Sequence, residues 1–266
     1  VCSVPIGHVD DITIRVQTCL NSVPAIACED TRVTQQLLGA LKVGHAPELF
    51  RMDQYQEKRS FYMFDRYIEQ GDVAYVSDAG SPGLSDPGAL LVDYCYSKGI
   101  VVQVLPGVSS LAAFISMSGC LINDFKFGGF LPKTKSALTT ALDKVIAYKQ
   151  CSIWFESPKR IEATIAIIAA AHPQLSVVLA KEITKPYERV LRGDAVDVCQ
   201  QLQDTDCRGE WVVLLDAREW IHSNEQQCKD VAQVCLDAGL TGRQVKMLAP
   251  LVDLPKNELY HQFQQL

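Results

Sequence analysis

Short, continuous apolar runs alternate along this chain with segments of helical pattern, and that alternation limits its fold more than any other feature. AIAC at 25–28, DVAYVSD at 72–78 and IVVQVLPG at 100–107 have strand length and little polar–apolar alternation. A strand wetted on one face alternates apolar with polar residues, so such runs belong to strands covered on both faces. Helices are predicted between them near 11–23, 32–41, 57–70 and 109–117, with a further strand around 47–52 and an opening strand that ends in CSVPIG. Pro87 suits the first turn of a helix that runs to about Lys98, and Ser109 suits a cap. Strands joined in this way make a mostly parallel sheet with helices on both sides.

The pattern restarts around 119–123. FKFGGF, CSIWFES, LSVVLAKEI, ERVLRG and EWVVLLD read as strands, with helices near 135–148, 159–171 and 194–203. More strands with fewer crossovers predict a mixed sheet. From about 219 the strands stop, and three short helices are expected at 228–238, 241–250 and 255–263, separated by Gly239 and a turn at 253–255. The expected organisation is an α/β chain of three parts. These are an N-terminal domain over 1–119, a second domain over 120–218, and a helix-turn-helix-like segment over 219–266.

Composition removes several function classes. No apolar run approaches the roughly 18–20 residues of a membrane helix, and no basic, apolar leader opens the sequence. A cytoplasmic protein is therefore expected, with native residues preceding Val1, where the chain already reads as strand. The ten cysteines are scattered without a CxxC pair, as in a reduced protein, and five dispersed histidines predict no metal. The net charge of −6 has the wrong sign for a simple nucleic-acid binder. Residues 126–160, however, hold seven basic side chains against Asp143 and Glu156, a local charge of +5.

Three predicted strand ends are rich in glycine and proline: VPIGH at 4–8, SDAGSPG at 77–83 and LPGVSS at 105–110. Ligands of open α/β sheets sit beyond the carboxyl ends of the strands, and glycine lets the backbone approach them closely. Neither GxGxxG nor GxxxxGK[ST] is present, which disfavours a Rossmann dinucleotide and a P-loop nucleotide. The loops carry acceptors and no Lys or Arg, a composition suited to a cationic or zwitterionic ligand. S-adenosylmethionine, with its sulfonium, ammonium and ribose hydroxyls, is one such ligand.

PIGHVDDIT, ACEDTR, VSDAGSPGLSDPG, LPGVSSLAA, GGFLPK, FES, AKEITKPYERVLRG, GEWVVLL and PKNELYHQF follow one another along nearly the whole chain. In that order they resemble the signature segments of class III methyltransferases of the tetrapyrrole methylase fold. Within that family they are most similar to the branch acting on small-subunit ribosomal RNA. The resemblance implies two α/β domains with S-adenosylmethionine in a cleft between them, in a homodimer. It also implies methylation of a cytidine 2′-hydroxyl in the decoding region of 16S ribosomal RNA. Carried onto this sequence, the cofactor residues are Pro5 and Gly7; Asp78, Ala79, Gly80, Ser81 and Pro82; Pro106, Gly107 and Ser109; and, from the second domain, Phe155, Ala180, Gly209 and Glu210. His8 stands where the family usually has asparagine.

A ribose hydroxyl is a weak nucleophile, so a proton acceptor near it should help. Glu29, Asp30, Arg32 and Glu156 are the expected catalytic residues, with Asp78 and Glu182 as further carboxylates near the predicted cleft. CEDTR admits two readings. Asp30 or Thr31 caps the following helix while Arg32 pairs with Glu29, or Glu29, Asp30 and Arg32 face the acceptor nucleotide. Lys133, Lys135, Lys159, Arg160 and Lys181 are expected to bind substrate, extended by Lys185, Arg189 and Arg192. Tyr187 and Trp211 are expected in the core. Two other functions fit the same residues, a tetrapyrrole C-methyltransferase and a non-catalytic binder of S-adenosylmethionine or RNA. The former generally carries a GDP-type loop where this chain has SDAGSP, and the latter leaves the acids of CEDTR and FES without a use.

Overall fold

Ala25–Cys28 (β1) is buried at all four positions and forms the centre of a parallel sheet. β2 (Glu48–Arg51) and β3 (Val73–Val76) flank it, with Ala25 opposite both Glu48 and Val73. The computed structural model describes residues 1–52, 57–85, 88–218, 225–252 and 256–265. Pro87 and the 253–255 turn, expected to start a helix and to separate two others, lie outside those residues.

Alternate residues of these strands enter different cores. Ile26, Cys28 and Val76 pack with Val16 and Leu20 of α1 (Ile14–Leu20) and Leu38 of α2 (Thr31–Ala40). Ala25, Ala27 and Tyr75 pack with Phe64 of α3 (Glu57–Ile68) and with Leu91 and Cys95 of α4 (Ala89–Ser97). Covering both faces is what makes each strand a continuous apolar run. α5 (Ser110–Ser118) follows; Ser109 occupies its N-cap position, but its side chain makes no capping bond.

Two expected strands are reduced to single bridges. Cys2 pairs with Leu105 in parallel, and Val4 pairs with Gly80 in antiparallel fashion. The Leu105 N–H donates to the Val1 carbonyl and the Ser3 N–H to the Leu105 carbonyl, and Pro5, which has no N–H, cannot extend this ladder. The 101–105 segment also has a wetted side, with Val101 and Val104 exposed.

The chain divides into two compact units. One comprises Val1–Leu121, Ala180–Val190 and Gly209–Val212; the other comprises Ile122–Leu179, Leu191–Arg208 and Val213–Leu266. A second sheet has the order β4-β5-β8-β6-β7, from Lys126–Phe130, Cys151–Glu156, Trp211–Asp216, Ser176–Lys181 and Arg189–Asp194. β4 and β5 run parallel. Helices α6 (Lys135–Ala147), α7 (Ile161–Ala171) and α8 (Ala195–Gln203) fall within a residue or two of their expected positions. Gly128 of β4 lies under the Trp154 ring, where an added Cβ would stand 2.0 Å from Cζ3.

The last helices are α9 (Glu225–Asp237), α10 (Gly242–Leu248) and α11 (Lys256–Gln265). They share a small core of Cys228, Ala232, Cys235, Val245, Ala249 and Leu259. Gly239 takes φ 67° after α9, the left-handed residue that commonly stops a helix. Thr241 and Gln244 form a capping box that starts α10. Among the described residues, no helix is long and apolar enough to cross a membrane.

Gly128→Ala should therefore lower the free energy of unfolding by about 1–3 kcal/mol, the usual cost of overpacking a core. Gly39→Ala, in α2 with nothing within 4 Å of the added carbon, should leave stability unchanged or raise it by up to about 1 kcal/mol. Urea titration of both variants measures the contrast.

Candidate functional site

The three glycine- and proline-rich loops meet in the first unit. After β3, the Ser77 hydroxyl donates to the Ala79 carbonyl at 3.1 Å and folds the chain back. Gly80, at φ 74°, then exchanges backbone hydrogen bonds with Val4, 2.8 Å in one direction and 3.1 Å in the other. An added Cβ at Gly80 would stand 3.3 Å from Ile6, so the second loop bears directly on the first. Ser81 Oγ donates to the Val108 carbonyl at 3.0 Å and lies 2.8 Å from Ser3 Oγ. With the Ser81 hydrogen used on Val108, Ser3 is the donor of that pair. Gly107 packs on Ser3, leaving no room for a Cβ.

Asp78, Ala79, Pro106 and Gly107 are exposed where these loops meet, Pro5, Ser81, Pro82 and Ser109 are half-buried, and Gly80 is buried. His8 substitutes for asparagine in a recognisable way. Its Nδ1 accepts the Asp10 N–H at 3.3 Å and caps the short 3-10 turn Val9–Asp11, a local bond that an asparagine side chain also makes.

At the end of β1, Asp30 is the N-cap of α2 and accepts the Arg32 N–H at 2.9 Å. Arg32 Nε and Nη2 both donate to the same carboxylate, so the partner of Arg32 is Asp30 and not Glu29, as the first reading of CEDTR expected. This pairing holds the Asp30 carboxyl well below the usual carboxylate range. The Asp30 N–H in turn donates to Asp78 Oδ1 at 3.0 Å, tying CEDTR to the SDAGSPG loop. Glu29 is half-buried beside it. The Arg32 side chain, 85% exposed, lines an open depression of about 520 Å³ with Thr31, Gln35, Pro47 and Leu49.

Several residues expected to act on substrate have structural roles instead. Glu156, at the end of β5, has no exposed side-chain surface and accepts from the Ser157 N–H, Arg160 Nη2 and Thr164 Oγ1. Arg160 Nη2 also donates to the Leu131 carbonyl at 3.0 Å. A buried carboxylate with three donors holds a turn together and has no path to a ribose proton, and its arginine is spent on it. Lys181 is buried rather than exposed, and its charge contributes to lowering Glu182. Phe155 is half-buried, edge-on to Phe127 and Phe130 in the second unit. Ala180 is fully buried. Lys133, Lys135 and Lys159 are exposed. Trp211 is core, whereas Tyr187 is 77% exposed, because it lies in the tight turn after β6 and not on a strand.

That turn carries a network that the sequence pattern does not reveal. Lys185 Nζ bridges Glu182 and Glu210, each at 3.0 Å, and the Glu210 N–H donates to Glu182 Oε1 at 2.9 Å. Gly209 takes φ 110° and has no room for a Cβ beside the Glu182 side chain. Burial alone would raise the Glu182 carboxyl, but the Glu210 N–H and the Lys185 ammonium hold it below its ordinary value. Burial likewise opposes the Lys185 charge, and the two glutamates overcome it. Lys185 is thus an internal tie and not part of a docking surface. Among the described residues, no group of His, Cys, Asp and Glu could hold a metal ion.

The family of tetrapyrrole (corrin/porphyrin) methylases matches residues 1–199. A ribosomal RNA small subunit methyltransferase I of Hydrogenobaculum sp. is 35% identical over 219 residues, 82% of this chain and 95% of its own. The protein of that name from Campylobacter fetus is 34% identical, covering 80% of each chain. Among solved structures, a diphthine synthase aligns with a TM-score of 0.63 at 14% identity, covering 80% of this chain and 87% of its own. A cobalt precorrin-4 methyltransferase of cobalamin biosynthesis aligns with a TM-score of 0.56 at 20% identity, covering 81% and 92%. At those identities the two structures show the shared fold.

Glu156→Ala strands Arg160 beside a buried cavity and should cost about 3–5 kcal/mol of stability, read by urea denaturation. A variant that kept its stability and lost only activity would return Glu156 to the reacting centre. For Glu182, the folded value lies below the ordinary 4.5, so its stabilising contribution is complete above that pH and disappears as pH falls through the folded value. Glu182→Gln should therefore flatten the loss of stability as pH falls below the ordinary glutamate value, measured by unfolding at a series of pH values.

Proposed function

The chain belongs to the tetrapyrrole methylase family, and from that premise we propose that it transfers a methyl group from S-adenosylmethionine to ribosomal RNA. The acceptor in this reading is the 2′-hydroxyl of a cytidine in the decoding region of 16S ribosomal RNA, and the protein works in the cytoplasm as a homodimer. One observation carries the substrate. Relatives named for small-subunit ribosomal RNA methylation match at about a third identity over four-fifths or more of both chains.

The converging loops fit the cofactor. Asp78 offers a carboxylate to cationic or hydroxyl groups, Gly80 and Gly107 present backbone without side chains, and no loop residue is Lys or Arg. Pro5 to Gly7, Asp78 to Pro82 and Pro106 to Ser109 would hold it. When bound, S-adenosylmethionine supplies an electrophilic sulfonium methyl that a hydroxyl oxygen can displace in line. The chain's share is alignment of the two reactants, which can account for much of the acceleration.

The acceptor side is assigned to CEDTR. Asp30 fixes Arg32 on the rim of the depression that Arg32 lines, where the guanidinium can take a phosphate or a base. Glu29, half-buried at the end of β1 beside Asp30, is the carboxylate proposed to accept the hydroxyl proton. On the second unit, Lys133 and Lys135 flank Thr134, the N-cap of α6. Cations at a helix N-terminus oppose the helix dipole. Two exposed lysines there are disfavoured locally and suit an anionic partner such as the RNA backbone.

Labelled methyl offered with unmodified small ribosomal subunits, naked ribosomal RNA and a tetrapyrrole precursor should enter subunit RNA, at one nucleotide that becomes resistant to alkaline cleavage. Label in the tetrapyrrole instead would overturn the substrate. Lys133→Glu with Lys135→Glu should weaken binding to the subunit by at least about 10-fold, since two cations offered to the phosphates reverse sign, and leave S-adenosylmethionine binding unchanged.

A further inference from the structure

The turn that follows β6 presses on the first glycine loop. Gly7 has no space for a side chain, because an added Cβ would stand 2.5 Å from Lys185 Cγ and 2.6 Å from Thr184 Oγ1. The His8 N–H donates to Thr184 Oγ1 at 3.2 Å, a bond between residues 176 positions apart. All of these residues belong to the first unit.

Thr184 makes this contact from an unfavourable conformation. Its φ is 66°, and that of Glu182 is 52°, in the left-handed region that a β-branched residue such as Thr184 rarely enters. The turn is held there by its own bonds. The Thr184 N–H donates to Glu188 Oε2 at 2.7 Å, the Lys185 N–H to the Glu182 carbonyl at 2.9 Å, and the Glu188 N–H to the Lys185 carbonyl at 3.0 Å. Beneath it, Lys185 ties Glu182 to Glu210. Strain that the surroundings maintain points to a requirement for that geometry, because a glycine would remove it at no steric cost.

We propose that Thr184, held in place by Glu188, is a positioning residue for the cofactor. Its hydroxyl oxygen fixes the Gly7–His8 backbone so that the first loop keeps its binding conformation. This rests on the reading that the Pro5–Gly7 loop holds S-adenosylmethionine. Thr184 does not touch the reacting atoms in this assignment. Its removal therefore raises the dissociation constant and KM for S-adenosylmethionine and leaves kcat at saturation close to that of the parent chain.

Three variants separate this role from a merely structural one. Thr184→Gly relieves the strained φ while deleting the acceptor for His8, Thr184→Ser keeps the hydroxyl, and Glu188→Ala removes the support. Calorimetric titration with S-adenosylmethionine should give a dissociation constant about 3- to 10-fold weaker for Thr184→Gly and Glu188→Ala, the factor for one hydrogen bond. Thr184→Ser should bind like the parent, and Thr184→Gly should unfold at the same urea concentration or a higher one. Undiminished binding by Thr184→Gly, or binding by Thr184→Ser as weak as that of Thr184→Gly, overturns the positioning role and leaves the cofactor reading standing. A parent chain that binds no S-adenosylmethionine overturns both.

Discussion

The pair of backbone hydrogen bonds exchanged by Val4 and Gly80 is the constraint on which the candidate site depends. The first loop leaves its strand direction at Pro5, the second where Ser77 folds the chain back onto Ala79, and the third at Pro106. Without the exchange, these would be three separate turns. With it, the second loop is joined to the first, Ser81 joins the second to the third through Val108, and Gly107 closes onto Ser3. Short bonds among small residues leave no slack, and small residues are the only ones that fit.

At three strand ends, charge is spent on pairs within the chain. Asp30 with Arg32, Glu156 with Arg160 and Lys185 with Glu182 and Glu210 each join two neighbouring pieces of backbone at a strand end. A carboxylate that leaves water needs hydrogen-bond donors, and the nearest are the backbone N–H groups and cations of the same turn. The basic surface suggested by residue counting therefore shrinks. Lys181 is buried and Arg160 and Lys185 are half-buried and paired, while Lys133, Lys135 and Lys159 stay in water.

Much of the fold was legible because periodicity reports burial directly. β1 and β3 read as unbroken apolar runs because both of their faces are covered. The helices after 135, 159 and 194 began close to their expected positions because Thr134 and Asp194 are capping residues and Arg160 follows a proline-bearing turn. CSVPIG and IVVQVLPG were overread as strands for the same reason in reverse. Apolar content shows burial, but ladder length depends on how many N–H groups find partners, and here proline intervenes. Tyr187 was misplaced because an aromatic residue next to a strand reads as core, while its turn faces water.

From its residues alone, this chain is an α/β protein with three glycine- and proline-rich loops at strand ends, and its ordered segments identify the methylase family. These are local properties, fixed by side-chain periodicity, missing N–H groups and the freedom of glycine. Only the tertiary structure decided which charges act on a ligand and which hold the chain, and that Thr184 meets His8 across 176 positions. The reason is physical. The donors of a carboxylate are often local, as Arg32 is for Asp30, but its burial and the meeting of Thr184 with His8 depend on segments distant in sequence, and no local pattern encodes those.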